Sequence, residues 1–202
     1  MTSDPAPSVA EGPSRREQRK EEIRRRVIDA ARAIFDSQGL AETSVEEVLR
    51  RANVSRATFY SQFASKQDVA RAIAGEMWER ANTLYADFSA LPNLSEAAVR
   101  GWLATVFDVW QREREGMSRM IADLFPLLAA DSPGRHETMV GLLIGDGRHW
   151  RAFSEAEGRR RAYLLIYQLE RTMQAYHLEG WVEDRDALLD TLTLAWVRML
   201  EA

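Results

Sequence analysis

Apolar positions recur along this chain at three- and four-residue intervals, and no stretch alternates apolar with polar between turn residues. The pattern predicts an all-α protein. Ile23, Val27, Ala31, Ile34 and Phe35 form the first stripe and stop before Gly39, which suits a positive-φ helix cap. Thr43 with Glu46, or Ser44 with Glu47, has capping-box spacing and opens a second helix with Val48, Leu49 and Ala52 on its apolar face. Asn53 ends that helix almost at once, because Asn tolerates a left-handed turn conformation, and Val54 plugs the turn. Ser55 caps a short third helix carrying Phe59 and Phe63 one turn apart. Ser65 with Asp68 then opens a long fourth, striped by Val69, Ala70, Ile73, Ala74, Met77, Trp78 and Ala81 as far as the break at residues 90–93.

Beyond that break the apolar content rises. Asn93 with Glu96 predicts the next helix start, succeeded by Val99, Trp102, Leu103, Val106, Phe107 and Trp110; a further stripe runs through Met117, Met120, Ile121, Leu124 and Phe125. Pro133 suits a helix start, while Gly141, Gly145 and Gly147 weaken or break the segment after it. Two helices close the sequence, one from Ser154 to about His177 and one from Asp184 to Leu200. In the last, Leu188, Leu189, Leu192, Leu194, Ala195, Trp196, Val197, Met199 and Leu200 occupy more than one face, so the helix needs two partners. One partner is the chain's own core; the other is expected to be a second copy across an isologous twofold.

Composition narrows the chemistry. The 202 residues carry a net charge of −4 and contain no cysteine, which excludes disulfides, thiol redox chemistry and any cysteine-ligated zinc. The first residues lack the basic-then-apolar order of a signal peptide, and no apolar run is long enough to span a bilayer, so the expectation is a cytoplasmic protein without a membrane partner. Residues 1–16, rich in Pro, Ser, Gly and Ala, read as a disordered arm. His136, His149 and His177 are scattered, the carboxylates sit where solvated helix faces expect them, and no glycine-rich phosphate loop succeeds a strand. No catalytic residue, metal site or cofactor is expected.

Charge is unevenly placed. Residues 1–70 hold 12 Lys or Arg and 11 Asp or Glu, residues 71–202 hold 15 and 20, and the segment from Arg15 to Arg26 alone has seven cations against three anions. A local basic patch is therefore available. Two helices joined by a tight turn, the second one short, have the form of a helix-turn-helix. If Phe59 and Phe63 point inward, Arg56, Thr58 and Ser61 turn outward with Tyr60 at the edge. Arginine can pair with guanine O6 and N7, threonine offers a hydroxyl and a methyl group, and tyrosine and serine hydroxyls commonly hold phosphates.

The run TSVEEVLRRANVSRATFYSQFASKQDV, preceded by AARAIFDSQG, resembles the N-terminal domain of the TetR family of transcriptional regulators over about residues 18–75. The resemblance implies an N-terminal three-helix helix-turn-helix domain and a larger helical ligand-binding and dimerisation domain. By it, Thr43 and Ser44 start the second helix against phosphate, Ser55, Arg56, Ala57, Thr58 and Ser61 form the reading segment, and Tyr60 and Lys66 grip the DNA backbone. It further implies a double-stranded DNA operator of palindromic form, a homodimer through the last two helices, and release, most simply from repression, by a small effector. Trp78, Trp102, Phe107, Trp110, Met120, Phe125, Trp150 and Tyr167 are the expected apolar and aromatic effector lining. The expected division is an arm at 1–16, the DNA-binding unit at 17–65 and the regulatory unit at 66–202, with a helix over 66–85 linking the two. Asn53 replaces a usual Gly, Ala57 a frequent Gly or Pro, and Gln62 a usual His or Asn, so Gln62 inherits no contact from the family. The rival reading is an interaction scaffold that keeps the helix-turn-helix without reading DNA; such a protein has no reason to keep the polar face from Arg56 to Ser61.

Overall fold

The computed structural model describes residues 14–115, 132–177 and 179–201, and among these described residues there are eight α-helices. α1 (Arg15–Gln38) opens on a capping box in which Glu17 N–H donates to Ser14 Oγ at 3.3 Å and Ser14 N–H donates to Glu17 Oε2 at 2.7 Å. Its predicted stripe is buried from Val27 to Phe35, and Gly39 closes it at φ 89°, its N–H donating to Phe35 O. α2 (Val45–Ala52) and α3 (Arg56–Tyr60) come next, with the turn between them made by Asn53 at φ 51°, ψ 54°. Of the two capping boxes that the sequence allows for α2, the structure forms the one between Ser44 and Glu47.

α4 (Lys66–Ser89) has 24 residues and is about 36 Å long at roughly 1.5 Å per residue. It passes through two separate cores. Its first half, through Val69, Ala70, Ile73 and Ala74, packs with α1, Val48, Phe59 and Phe63. Its second half, through Leu84, Tyr85 and Phe88, enters a larger core shared with α5 (Glu96–Glu115), α6 (Ser132–Ile144), α7 (Glu155–His177) and α8 (Arg185–Leu200). Trp78 lies between them and packs against both.

The N-terminal cap of α5 differs from the Asn93–Glu96 expectation. Ser95 Oγ accepts from Ala98 N–H, while Asn93 Oδ1 accepts from Ser95 N–H and forms the turn ahead of it. The helix expected around Met117–Phe125 falls outside the described residues. α6 stops at Gly145, whose φ of 57° and whose position against Ser89, 2.5 Å from where a Cβ would lie, admit only glycine. The turn after it grips the far end of α4: Arg148 Nη2 donates to Ser89 O at 2.9 Å and to Leu91 O at 2.7 Å. Among the described residues, no helix is long and apolar enough to cross a membrane.

Candidate nucleic-acid interface

α3 is only five residues long, so its position comes from what lies beneath it rather than from its own hydrogen bonds. Phe59 is fully buried and Phe63 nearly so, their ring centroids 5.9 Å apart, and the Arg24 guanidinium of α1 lies 4.8 Å from the centre of the Phe63 ring. With this side fixed, Ser55, Arg56, Ala57, Tyr60 and Ser61 are exposed, and Thr58 is half-buried. Ser55 Oγ caps the helix by accepting from Thr58 N–H at 3.1 Å and shares a 2.8 Å hydrogen bond with Thr58 Oγ1. Ser61 Oγ donates to Thr58 O. Tyr60 packs edge-on against Phe59 and is 47 % exposed, which leaves its phenol at the rim of the face.

The turn before α3 is tied down by a residue that sequence reasoning counts only as part of a basic patch. Arg26 reaches from α1 to donate to Ala52 O at 2.7 Å and to Asn53 O at 2.6 Å. It satisfies carbonyls that the end of α2 leaves without helical partners. The spacing of 26 and 27 residues hides this contact from any local motif.

Three expected DNA contacts have other surroundings. Thr43 is buried, and its hydroxyl donates to Gly39 O at 2.7 Å, which fixes the α1–α2 connection and takes it off the surface. Ser44 is exposed, but its hydroxyl and N–H are both engaged with Glu47. The Glu47 carboxyl is held below its ordinary pKa, first by the Ser44 backbone N–H and then by the Ser44 hydroxyl. Because folding lowers that pKa, the cap is intact above the unfolded carboxyl range and is lost as pH falls through the depressed value. Lys66 Nζ donates to Ala41 O at 2.8 Å and to Thr43 O at 2.7 Å, joining the start of α4 to the loop ahead of α2. Lys66→Ala is therefore expected to lower stability by about 1–2 kcal/mol, from the loss of two charge-assisted hydrogen bonds to backbone carbonyls. Urea melts of the two proteins check this; equal midpoints would assign Lys66 no bracing role.

A family profile described as "Bacterial regulatory proteins, tetR family" matches residues 27–73, the segment from the buried half of α1 into α4. The chain is 30 % identical over 121 residues to the HTH-type transcriptional regulator SrpR of Pseudomonas putida, a match covering 59 % of this chain and 54 % of that protein. It is 42 % identical over 52 residues to the A-factor receptor protein of Streptomyces griseus, covering 26 % of this chain and 19 % of the other. These matches thus span about half of the first relative and a fifth of the second. A crystal structure assigned to the TetR family from Mesorhizobium loti superposes with a TM-score of 0.66 over 90 % of this chain and 96 % of that one, at 20 % identity.

Residues 27–73 carry a domain of the TetR family. Gln62, one of its departures from the TetR pattern, is half-buried beside Glu17, Lys20, Glu21, Arg24 and Ser61 in an open cleft between the start of α1 and the end of α3. The aromatic residues expected to line an effector site divide into groups. Trp102, Phe107 and Trp150 are buried in the larger core, the first donating its indole N–H to Leu84 O at 2.8 Å. Tyr167 is half-exposed on α7, stacked on His136 at 4.5 Å, and so faces outward from that core. Trp78 lies under the Arg135 guanidinium at 4.4 Å, and Trp110 stacks on His177 at 6.3 Å. Met120 and Phe125 fall outside the described residues. His136 Nε2 and Glu170 Oε2, 2.8 Å apart, form a largely buried polar pair between α6 and α7 that the scattered histidines of the sequence do not suggest.

Proposed function

We propose that this chain is a dimeric, ligand-responsive transcriptional regulator, most simply a repressor, that reads a palindromic operator in the major groove with the exposed side of α3. The observation behind this reading is the division of a five-residue helix into a buried aromatic side and a polar side. Phe59 and Phe63 are inward, while Ser55, Arg56, Ala57, Tyr60 and Ser61 are outward. Arg56 is the candidate base reader and Tyr60 the candidate phosphate holder, because a guanidinium fork can discriminate guanine whereas a phenol hydroxyl bonds any phosphate. Arg26, Thr43, Ser44 and Lys66 support that face by fixing the loops on either side of α2. In this reading residues 17–65 are the DNA-binding unit and residues 66–202 the regulatory and dimerisation unit.

The dimer part rests on apolar surface. Leu164 and Tyr167 on α7 and Leu194 on α8 are each more than half exposed, which fits a helical pair completed by a second copy. The effector part rests on α4, a single helix that starts at the Lys66 brace, passes Trp78 at the junction of the cores and ends in the grip of Arg148. A small apolar or aromatic molecule acts by binding one spacing of the two reading helices better than another.

Selection from a randomised duplex library tests the proposal. The wild-type protein is expected to enrich an inverted repeat, with Tyr60→Phe weakening all selected sequences alike and Arg56→Ala flattening the preference at one base pair in each half-site. Folded protein that enriches no sequence at low salt contradicts the reading and favours the scaffold alternative.

A further inference from the structure

The reading face contains an acid. Glu46, on the first turn of α2, reaches across to α3 and pairs through Oε1 with Nη2 of Arg56. The two side chains are 60 % and 62 % exposed. Glu46 has no part in the capping box, which uses its neighbour Glu47. An ion pair this exposed contributes little to stability. On a surface facing phosphates, a carboxylate also opposes binding, by repelling them and by offsetting the charge of the arginine it pairs with.

We infer that Glu46 is a specificity-determining positioning residue, which holds the Arg56 guanidinium at one place on the reading face and withholds it from phosphates. The inference rests on the DNA-reading proposal above. An arginine on a flexible stem has two ways to satisfy itself on DNA. It can pair with a phosphate, which is the same at every step, or with guanine O6 and N7, which is not. A carboxylate that occupies one edge of the guanidinium restricts the stem and leaves other N–H groups of the fork to point at a base. It also repels the phosphates to which the arm would otherwise drift. Glu46 thus gives up general affinity and gains discrimination, as expected of a repulsive element that sets specificity.

Glu46→Gln keeps the size and an acceptor oxygen but removes the charge. In the same randomised-library selection and in titrations on cognate and scrambled duplexes, this variant is expected to bind scrambled DNA severalfold more tightly than wild type. Its preference at the base pair flattened by Arg56→Ala is expected to fall about tenfold, the scale of one bidentate base contact. Other positions keep their preferences and the thermal melt is unchanged. In an Arg56→Ala background, Glu46→Gln is expected to change base preference no further. Full wild-type preference in Glu46→Gln, uniform flattening at every position, or equal effects with and without Arg56 overturns the inference while leaving DNA reading intact. Failure of Arg56→Ala to flatten any position also overturns it. Wild-type protein that selects no sequence overturns both.

Discussion

Phe59→Ala is expected to lower stability by about 3–5 kcal/mol, the range for removing a buried aromatic ring. Phe59 is fully buried, touches Phe63 and Tyr60 through its ring, and anchors a helix too short to hold itself. Removing the ring leaves α3 with a serine cap and a single turn of backbone hydrogen bonds. The expected result in a urea melt is a lowered midpoint, with hydrogen exchange around residues 55–63 fastest to respond. Under the proposed function DNA binding disappears in the same variant, even in conditions where the larger core stays folded. A stability change under about 1 kcal/mol, the level of an exposed surface substitution, would contradict the placement of Phe59.

The second large effect lies at the junction of α4, α5 and α8. Trp196 is fully buried, 4.9 Å from Trp102 and 5.4 Å from Phe88 between ring centroids, so three helices meet on it. Trp196→Ala is expected to cost about 3–5 kcal/mol through the cavity it leaves. Its indole N–H is buried without a hydrogen-bond partner, which makes the more conservative change informative. Trp196→Phe removes that unsatisfied donor while keeping much of the ring, and the relief of about 1–3 kcal/mol offsets lost contact area. Thermal melts are expected to place Trp196→Phe close to wild type and Trp196→Ala far below it. Equal losses in both would show that indole shape, and not the orphaned donor, governs the site.

Much of this architecture is written locally in the chain. The caps at Gly39 and Asn53, the Ser55 start of α3 and the Ser154 start of α7 each come from one residue type at one spacing, and the structure forms them. Inward-facing Phe59 and Phe63 are legible for the same reason, since helical periodicity fixes their side. Contacts between distant positions escape such reading. Arg26 on Ala52 O, Lys66 on Ala41 O, Glu46 on Arg56 and His136 on Glu170 join residues from 10 to 34 apart. No local pattern encodes such pairings; they exist only after the helices pack.

The larger core shows a different limit. Tryptophan and phenylalanine at helical spacing can line a cavity or fill one, and the sequence presents the same pattern for both. Trp102, Phe107 and Trp150 are buried in the larger core, as filling and lining side chains both are. Thr43 illustrates the same ambiguity at the DNA end, where a hydroxyl suited to phosphate is buried against Gly39 O. In both places burial depends on neighbours far away in sequence, which no local pattern records.

Methylation interference at guanine N7 on the selected duplex asks whether the polar side of α3 reads the major groove as one half of a dimer, because N7 lies in that groove where the Arg56 fork would pair. The expected result is interference at two symmetric guanines whose half-sites are centred about 34–36 Å apart, one helical turn, with both signals lost in Arg56→Ala. Binding that ignores N7 methylation, or interference unchanged by Arg56→Ala, contradicts groove reading by α3.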